Sequence, residues 1–96
     1  MSDQYLHLSV NFAEIDNSDQ IEKALDRASD WLRYMPYCWL IYTAQPPRIW
    51  YDRLRPMLGN RDHLLIVTVE LDERAGWLPK SVWEWINSER LVERAS

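Results

Sequence analysis

From Tyr5 to Phe12 apolar and polar residues alternate strictly. Leu6, Leu8, Val10 and Phe12 fall on one face, and Tyr5, His7, Ser9 and Asn11 on the other. A period of two predicts a strand with one face in a core. Residues 13–17 form a polar turn, ending at Asn17 and Ser18, either of which can cap a helix. Ile21, Ala24, Leu25 and Ala28 then follow i, i+3, i+4, i+7 spacing, which predicts a helix over 18–29. Asp19 and Glu22 suit the positive end of its dipole. Two aromatic-rich runs, 31–35 and 38–43, flank Pro36-Tyr37 and read as a hairpin. The alternative continues the helix through Leu32 to Met35, since both extend its apolar stripe.

Pro47 is suited to the first turn of a second helix, over 47–58, with Trp50, Leu54, Met57 and Leu58 as its apolar stripe. Pro56 should fray or tighten its end, and Gly59-Asn60 stops it. The run His63-Leu64-Leu65-Ile66-Val67-Thr68-Val69 then reads as a core strand over 62–70. Both of its parities are apolar: Leu65, Val67 and Val69 on one face, Leu64 and Ile66 on the other. A sheet with helices on one side and water on the other does not need the second set. The Trp-rich tail or a partner subunit should therefore cover the far face. A short helix opens at Pro79 and runs to about Asn87, and a charged tail follows. The predicted fold is ferredoxin-like α+β: βαββαβ, an antiparallel four-stranded sheet with both helices on one face, and a short C-terminal helix.

The 96 residues suit one domain, with a core over about 5–86 and a tail over 87–96. Six Trp against one Phe imply either a core built from indoles or an aromatic contact surface. The formal net charge of −4 argues against tight non-specific nucleic-acid binding, without excluding a local basic face. Cys38 as the single cysteine allows no internal disulfide and fits a reducing cytoplasm. No apolar run approaches the roughly 20 residues of a membrane span, and the N-terminus lacks a signal pattern. A cytoplasmic protein with no membrane partner is expected.

Three groups of residues are candidates for chemistry. Ser9 and Asn11, with His7, share a face of the first strand, and His63 lies on a neighbouring central strand. This polar patch could hold a phosphate or metal at a dimer seam, but its spacing makes no metal motif, and satisfied polar groups are the plainer reading. Arg48, Arg53, Arg55 and Arg61 gather around the second helix with Trp50 and Tyr51 between them. Arginine beside aromatic rings is suited to a nucleic-acid face. A solvated helix face is the plainer account there, since Asp52 sits in its midst. Trp77, and Trp83 and Trp85 on a short helix apolar nearly all round, are the candidates for a dimer or partner contact. Cys38 has no catalytic partner in sequence. Two glycines, Gly59 and Gly76, leave no room for a phosphate-binding glycine loop.

Leu6-His7-Leu8-Ser9-Val10-Asn11-Phe12, Cys38-Trp39-Leu40-Ile41-Tyr42-Thr43, Asp62-His63-Leu64-Leu65-Ile66 and Ala75-Gly76-Trp77-Leu78-Pro79-Lys80, with Trp83 and Trp85, carry a family resemblance. Over residues 5–86 the chain resembles the SinR-like small ferredoxin-fold proteins. These are related to the smaller subunit of the CRISPR spacer-acquisition complex. The resemblance implies a homodimer built through the sheet and the C-terminal segment. In the nuclease relatives the first strand ends with a metal-binding aspartate, and the matching position here is Asn11. An amide brings no charge, so affinity for Mg²⁺ should fall. Asp16, five residues on, could substitute but suits a helix cap better. The expectation is a non-catalytic homodimeric binding protein that needs no cofactor. Its partner would be a protein or nucleic acid, in a phage-defence or toxin–antitoxin setting. The alternative is a metal-dependent ribonuclease or deoxyribonuclease using Mg²⁺.

Overall fold

The computed structural model describes residues 2–88. Strand β1 (Gln4–Asn11) is followed by helix α1 (Ser18–Leu25), the hairpin β2 (Asp30–Met35) and β3 (Cys38–Thr43), helix α2 (Pro47–Leu54) with a 3-10 turn at Arg55–Met57, strand β4 (His63–Val69) and helix α3 (Lys80–Ile86). The strands form one antiparallel sheet in the order β2-β3-β1-β4. The fold is α+β: a four-stranded antiparallel sheet with three helices.

α1 and α2 pack on one face of the sheet. Leu6, Leu8 and Val10 from β1 and Trp39 and Ile41 from β3 meet Ile21, Leu25, Trp50 and Leu54 there in one buried cluster. At about 25 cal/mol per Å² of apolar surface, these side chains are the main source of stability. Of the six indoles, Trp39 and Trp50 are fully buried and Trp77 is exposed. The core is therefore built in part from indoles, and Trp77 stands on the surface.

α1 ends at Leu25, four residues before the predicted end, because the backbone turns at 26–29 to enter β2. The hairpin reading holds, and Leu32 and Met35 belong to β2. Helix two is α-helical only to Leu54, and Pro56 sits inside the 3-10 turn that closes it. Asn17 is the N-cap residue of α1 without a side-chain capping bond. Its amide instead donates to the Met57 carbonyl, 3.0 Å away. The Asp16 carboxylate takes the Ser18 N–H at 2.8 Å.

Part of the far face is covered by α3 and the segment before it. Tyr5, Leu40, Val82 and Ile86 form a second buried cluster, flanked by Leu32, Tyr34, Leu78, Trp83 and Trp85. This explains why Tyr5 and Leu40, on the parity facing away from α1 and α2, are buried. One expectation is corrected here. The run 62–70 reads as a core strand, yet β4 is a sheet edge, bonded only to β1. Its second apolar parity is not fully covered: Leu65 is 59% exposed and Val67 38%. Nor is α3 apolar all round, since Lys80, Ser81 and Glu84 face solvent.

Candidate functional site

Between α3 and the far face of the sheet lies a cleft of about 290 Å³, lined by His7, Tyr34, Leu40, Val69, Glu70, Leu71, Arg74, Ala75, Leu78, Trp83 and Ile86. Its floor is apolar because α3 lays Val82 and Ile86 against β1 and β3. Its polar end is built by strand alternation. His7 and Ser9 share a parity on β1, and Tyr34, of the same parity as Leu32, projects from β2 over β3 to the same face.

These side chains form a hydrogen-bonded chain. The Tyr34 hydroxyl bonds to His7 Nε2. His7 Nδ1 lies 3.4 Å from Ser9 Oγ, and Ser9 Oγ lies 3.8 Å from Cys38 Sγ. Burial pushes the His7 pKa down. Burial also pushes the Tyr34 phenol up, with the Cys38 thiol adding to it. Both directions favour neutral forms, and a neutral imidazole has one donor and one acceptor. The chain can therefore run from tyrosine to cysteine or the reverse, with every link satisfied. Either way the Tyr34 oxygen is a polar atom of a largely apolar cleft that Glu70 and Arg74 also line. Arg74 is held at its rim by the Leu71 and Asp72 carbonyls, at 2.8 and 3.4 Å, and by Asn87 Oδ1.

Such a cleft can take a small apolar group with one hydrogen-bonding end. The contact from Ser9 to His7 exceeds the roughly 2.6–3.2 Å at which a base activates a hydroxyl.

The predicted polar patch is split. Ser9 joins His7, whereas Asn11 pairs in register with His63 at the sheet end, and both are exposed. His63 stands on an edge strand, not a central one. The nearby Asp62 carboxylate is occupied by the Ala13 N–H at 2.7 Å and the Gly59 N–H at 2.8 Å, and these bonds pull its pKa below the ordinary value. Asp16 is likewise engaged, by the Ser18 N–H and by the Tyr37 hydroxyl at 3.2 Å, from the position just before the N-cap residue of α1. Among the described residues no group of three or more His, Cys, Asp or Glu is arranged to hold a metal ion.

The predicted arginine face is also divided. Arg48 lies over the Tyr51 ring and pairs with Asp52 at 3.3 Å. Arg55 donates to the Leu58 carbonyl, and Arg61 pairs with Glu14 at 3.1 Å. Arg53 stacks over Trp50, 4.9 Å from the ring centre, and borders a groove with Lys23 and Arg27 of the α1 segment. Of the tryptophans, Trp83 and Trp85 pack on their own sheet and Trp77 is 99% exposed.

Tyr34, Arg74, Lys23 and Arg27 were not legible as site residues. The parity of Tyr34 within the hairpin was the one available signal. The other three acquire neighbours only through helix packing and the turn before α3.

Among the described residues no helix is long and apolar enough to cross a membrane. No protein-family model matches the chain, and no curated protein or solved structure matches it either.

Proposed function

We propose that this chain is a non-catalytic binding protein that works as a homodimer, a silent relative of the CRISPR-adaptation nuclease fold. The observation that carries the dimer is the edge strand β4, with Leu65 and Val67 exposed on the face that α3 leaves open. An edge strand offers unpaired N–H and C=O groups, and two apolar side chains beside them favour pairing with another chain. A second copy fits, because an antiparallel pair of β4 strands with a two-fold axis at Ile66 would set Leu65 of one copy beside Val67 of the other. That closes both apolar positions at once. Alongside runs a cleft of about 340 Å³ lined by Pro47, Arg48, Tyr51 and residues 64–66, which extends the surface.

A ferredoxin-like assignment belongs to this reading. Its support is the βαββαβ order, the position of β3 between β1 and β2, and the packing of α1 and α2 on one face. The further partner is a protein or a nucleic acid, with exposed Trp77 available to it. The phage-defence or toxin–antitoxin setting is supported by the sequence resemblance. The non-catalytic reading is supported by Asn11 at the strand end and by the two backbone bonds that occupy Asp62.

Sedimentation of the purified chain and of a Leu65→Lys, Val67→Lys double variant tests the dimer. We expect a dimer that the two lysines convert to a folded monomer. A parent chain that stays monomeric up to roughly 100 μM overturns the homodimer. Incubation with labelled RNA and DNA in Mg²⁺ or Mn²⁺ tests the rest, and metal-dependent cleavage by the purified chain overturns the non-catalytic reading. Asn11→Asp should gain Mg²⁺ binding by calorimetry, and no gain overturns the proposed relation to the nuclease fold.

A further inference from the structure

Two carboxylates of the α1 segment are engaged by side chains of the sheet, while Asp19 in its first turn is exposed. Glu22 accepts the Trp39 indole N–H at 2.9 Å and pairs with Arg33 at 3.6 Å. Asp26, just past the helix, accepts the Trp31 indole N–H at 2.9 Å. Both carboxylates are thus drawn toward β2 and β3. Lys23 and Arg27 line a groove of about 420 Å³ that Gln20, Ala24, Arg53 and Met57 complete. The side chains of Lys23 and Arg27 make no hydrogen bond or ion pair with any described residue, and the Arg53 guanidinium stacks on Trp50. The dipole of α1 accounts for cations near its C-terminus, but not for a third cation brought in from α2.

Three cations line this groove with no carboxylate among its described lining residues, in a chain of net charge −4, and such a cluster attracts an anion. We infer that the groove between α1 and α2 binds a compact polyphosphate group. Size and surroundings argue for a compact ligand over an extended polymer. Lys23, in the last turn of α1, and Arg27, in the turn after it, line one groove with Arg53, a cluster of charge rather than a track along which a strand could run. The cations that could lengthen the strip are already neutralised, Arg48 by Asp52 and Arg61 by Glu14. Gln20 adds an amide donor, and Ala24 and Met57 give an apolar floor against which a carbon skeleton can rest. This site lies on the helix face of the sheet, away from the β4 surface, so it stands or falls independently of the homodimer.

Calorimetry of the full chain with inorganic triphosphate at low salt tests it, beside a single-stranded RNA oligonucleotide and the variants Lys23→Gln, Arg27→Gln and Arg48→Gln. The expected result is saturable triphosphate binding that weakens roughly tenfold with each of Lys23→Gln and Arg27→Gln and is unchanged in Arg48→Gln. Absence of triphosphate binding to the parent chain overturns the proposal. So does binding that Lys23→Gln and Arg27→Gln leave intact. Binding of the RNA without binding of triphosphate overturns the compact ligand.

Discussion

The indole N–H of Trp85 donates to a carboxylate oxygen of Asp30 at 3.0 Å, joining the last helix to the first residue of β2 across 55 positions of sequence. This bond fixes α3 over the far face, and with it the wall of the cleft. Trp85→Phe keeps most of the packing and removes the donor. It should lower stability by about 1.5–3 kcal/mol, the range for a hydrogen bond to a charged group. Urea denaturation monitored by far-ultraviolet circular dichroism measures this, and an unchanged midpoint would show that packing alone holds α3.

A second buried indole depends on a hydroxyl. Trp50 is fully buried and its N–H donates to Thr43 Oγ1 at 3.3 Å, while that oxygen also accepts the Gln45 N–H at 3.1 Å. Thr43→Val preserves shape and strand preference but leaves the Trp50 donor unsatisfied. The expected cost is about 1–3 kcal/mol. Thr43→Ser should recover most of it, which separates the hydrogen bond from the volume of the side chain.

His7 gives the fold a pH dependence whose sign follows from burial. Its folded pKa lies below the ordinary value, so the unfolded chain binds the proton more readily. Stability from this group is fully present above the ordinary histidine pKa and falls as pH drops through it and then through the lowered folded value. Tyr34, Glu70 and Arg74 line the cleft with it, and Ser9 bonds its second nitrogen. Thermal melts between about pH 8 and pH 5 should show a decline that His7→Gln reduces. A decline of equal size in the variant would assign it to other groups.

Asp62 acts in the same direction but at lower pH. The Ala13 and Gly59 N–H bonds hold its pKa below the ordinary aspartate value. Its contribution is therefore complete above that value and is lost as pH falls through the folded one. Asp62→Ala should speed amide exchange at Ala13 and Gly59 at neutral pH. In the parent chain the same two amides should loosen only in acid.

Periodicity alone located the elements, because local backbone preference and side-chain parity are written in neighbouring residues. The alternation from Tyr5 to Phe12 defined β1, the stripe of Ile21, Ala24 and Leu25 defined α1, and the Pro36-Tyr37 break defined the hairpin. Which strand stands at an edge is another matter. Residues 63–69 are as apolar as a central strand, yet β1 has only two sides and holds β3 on one, so β4 ends the sheet. The fate of the polar residues was likewise decided in three dimensions. His7 and Ser9 share a parity visible in sequence, but Tyr34 and Cys38 reach them only because β3 lies between β1 and β2. Arg53 leaves the predicted arginine face to join Lys23 and Arg27 because α1 and α2 pack side by side. Hydrogen bonds and charge pairs act over a few ångströms of space rather than of chain. Sequence therefore specified which side chains were available, and the packing of helices on the sheet chose which of them meet.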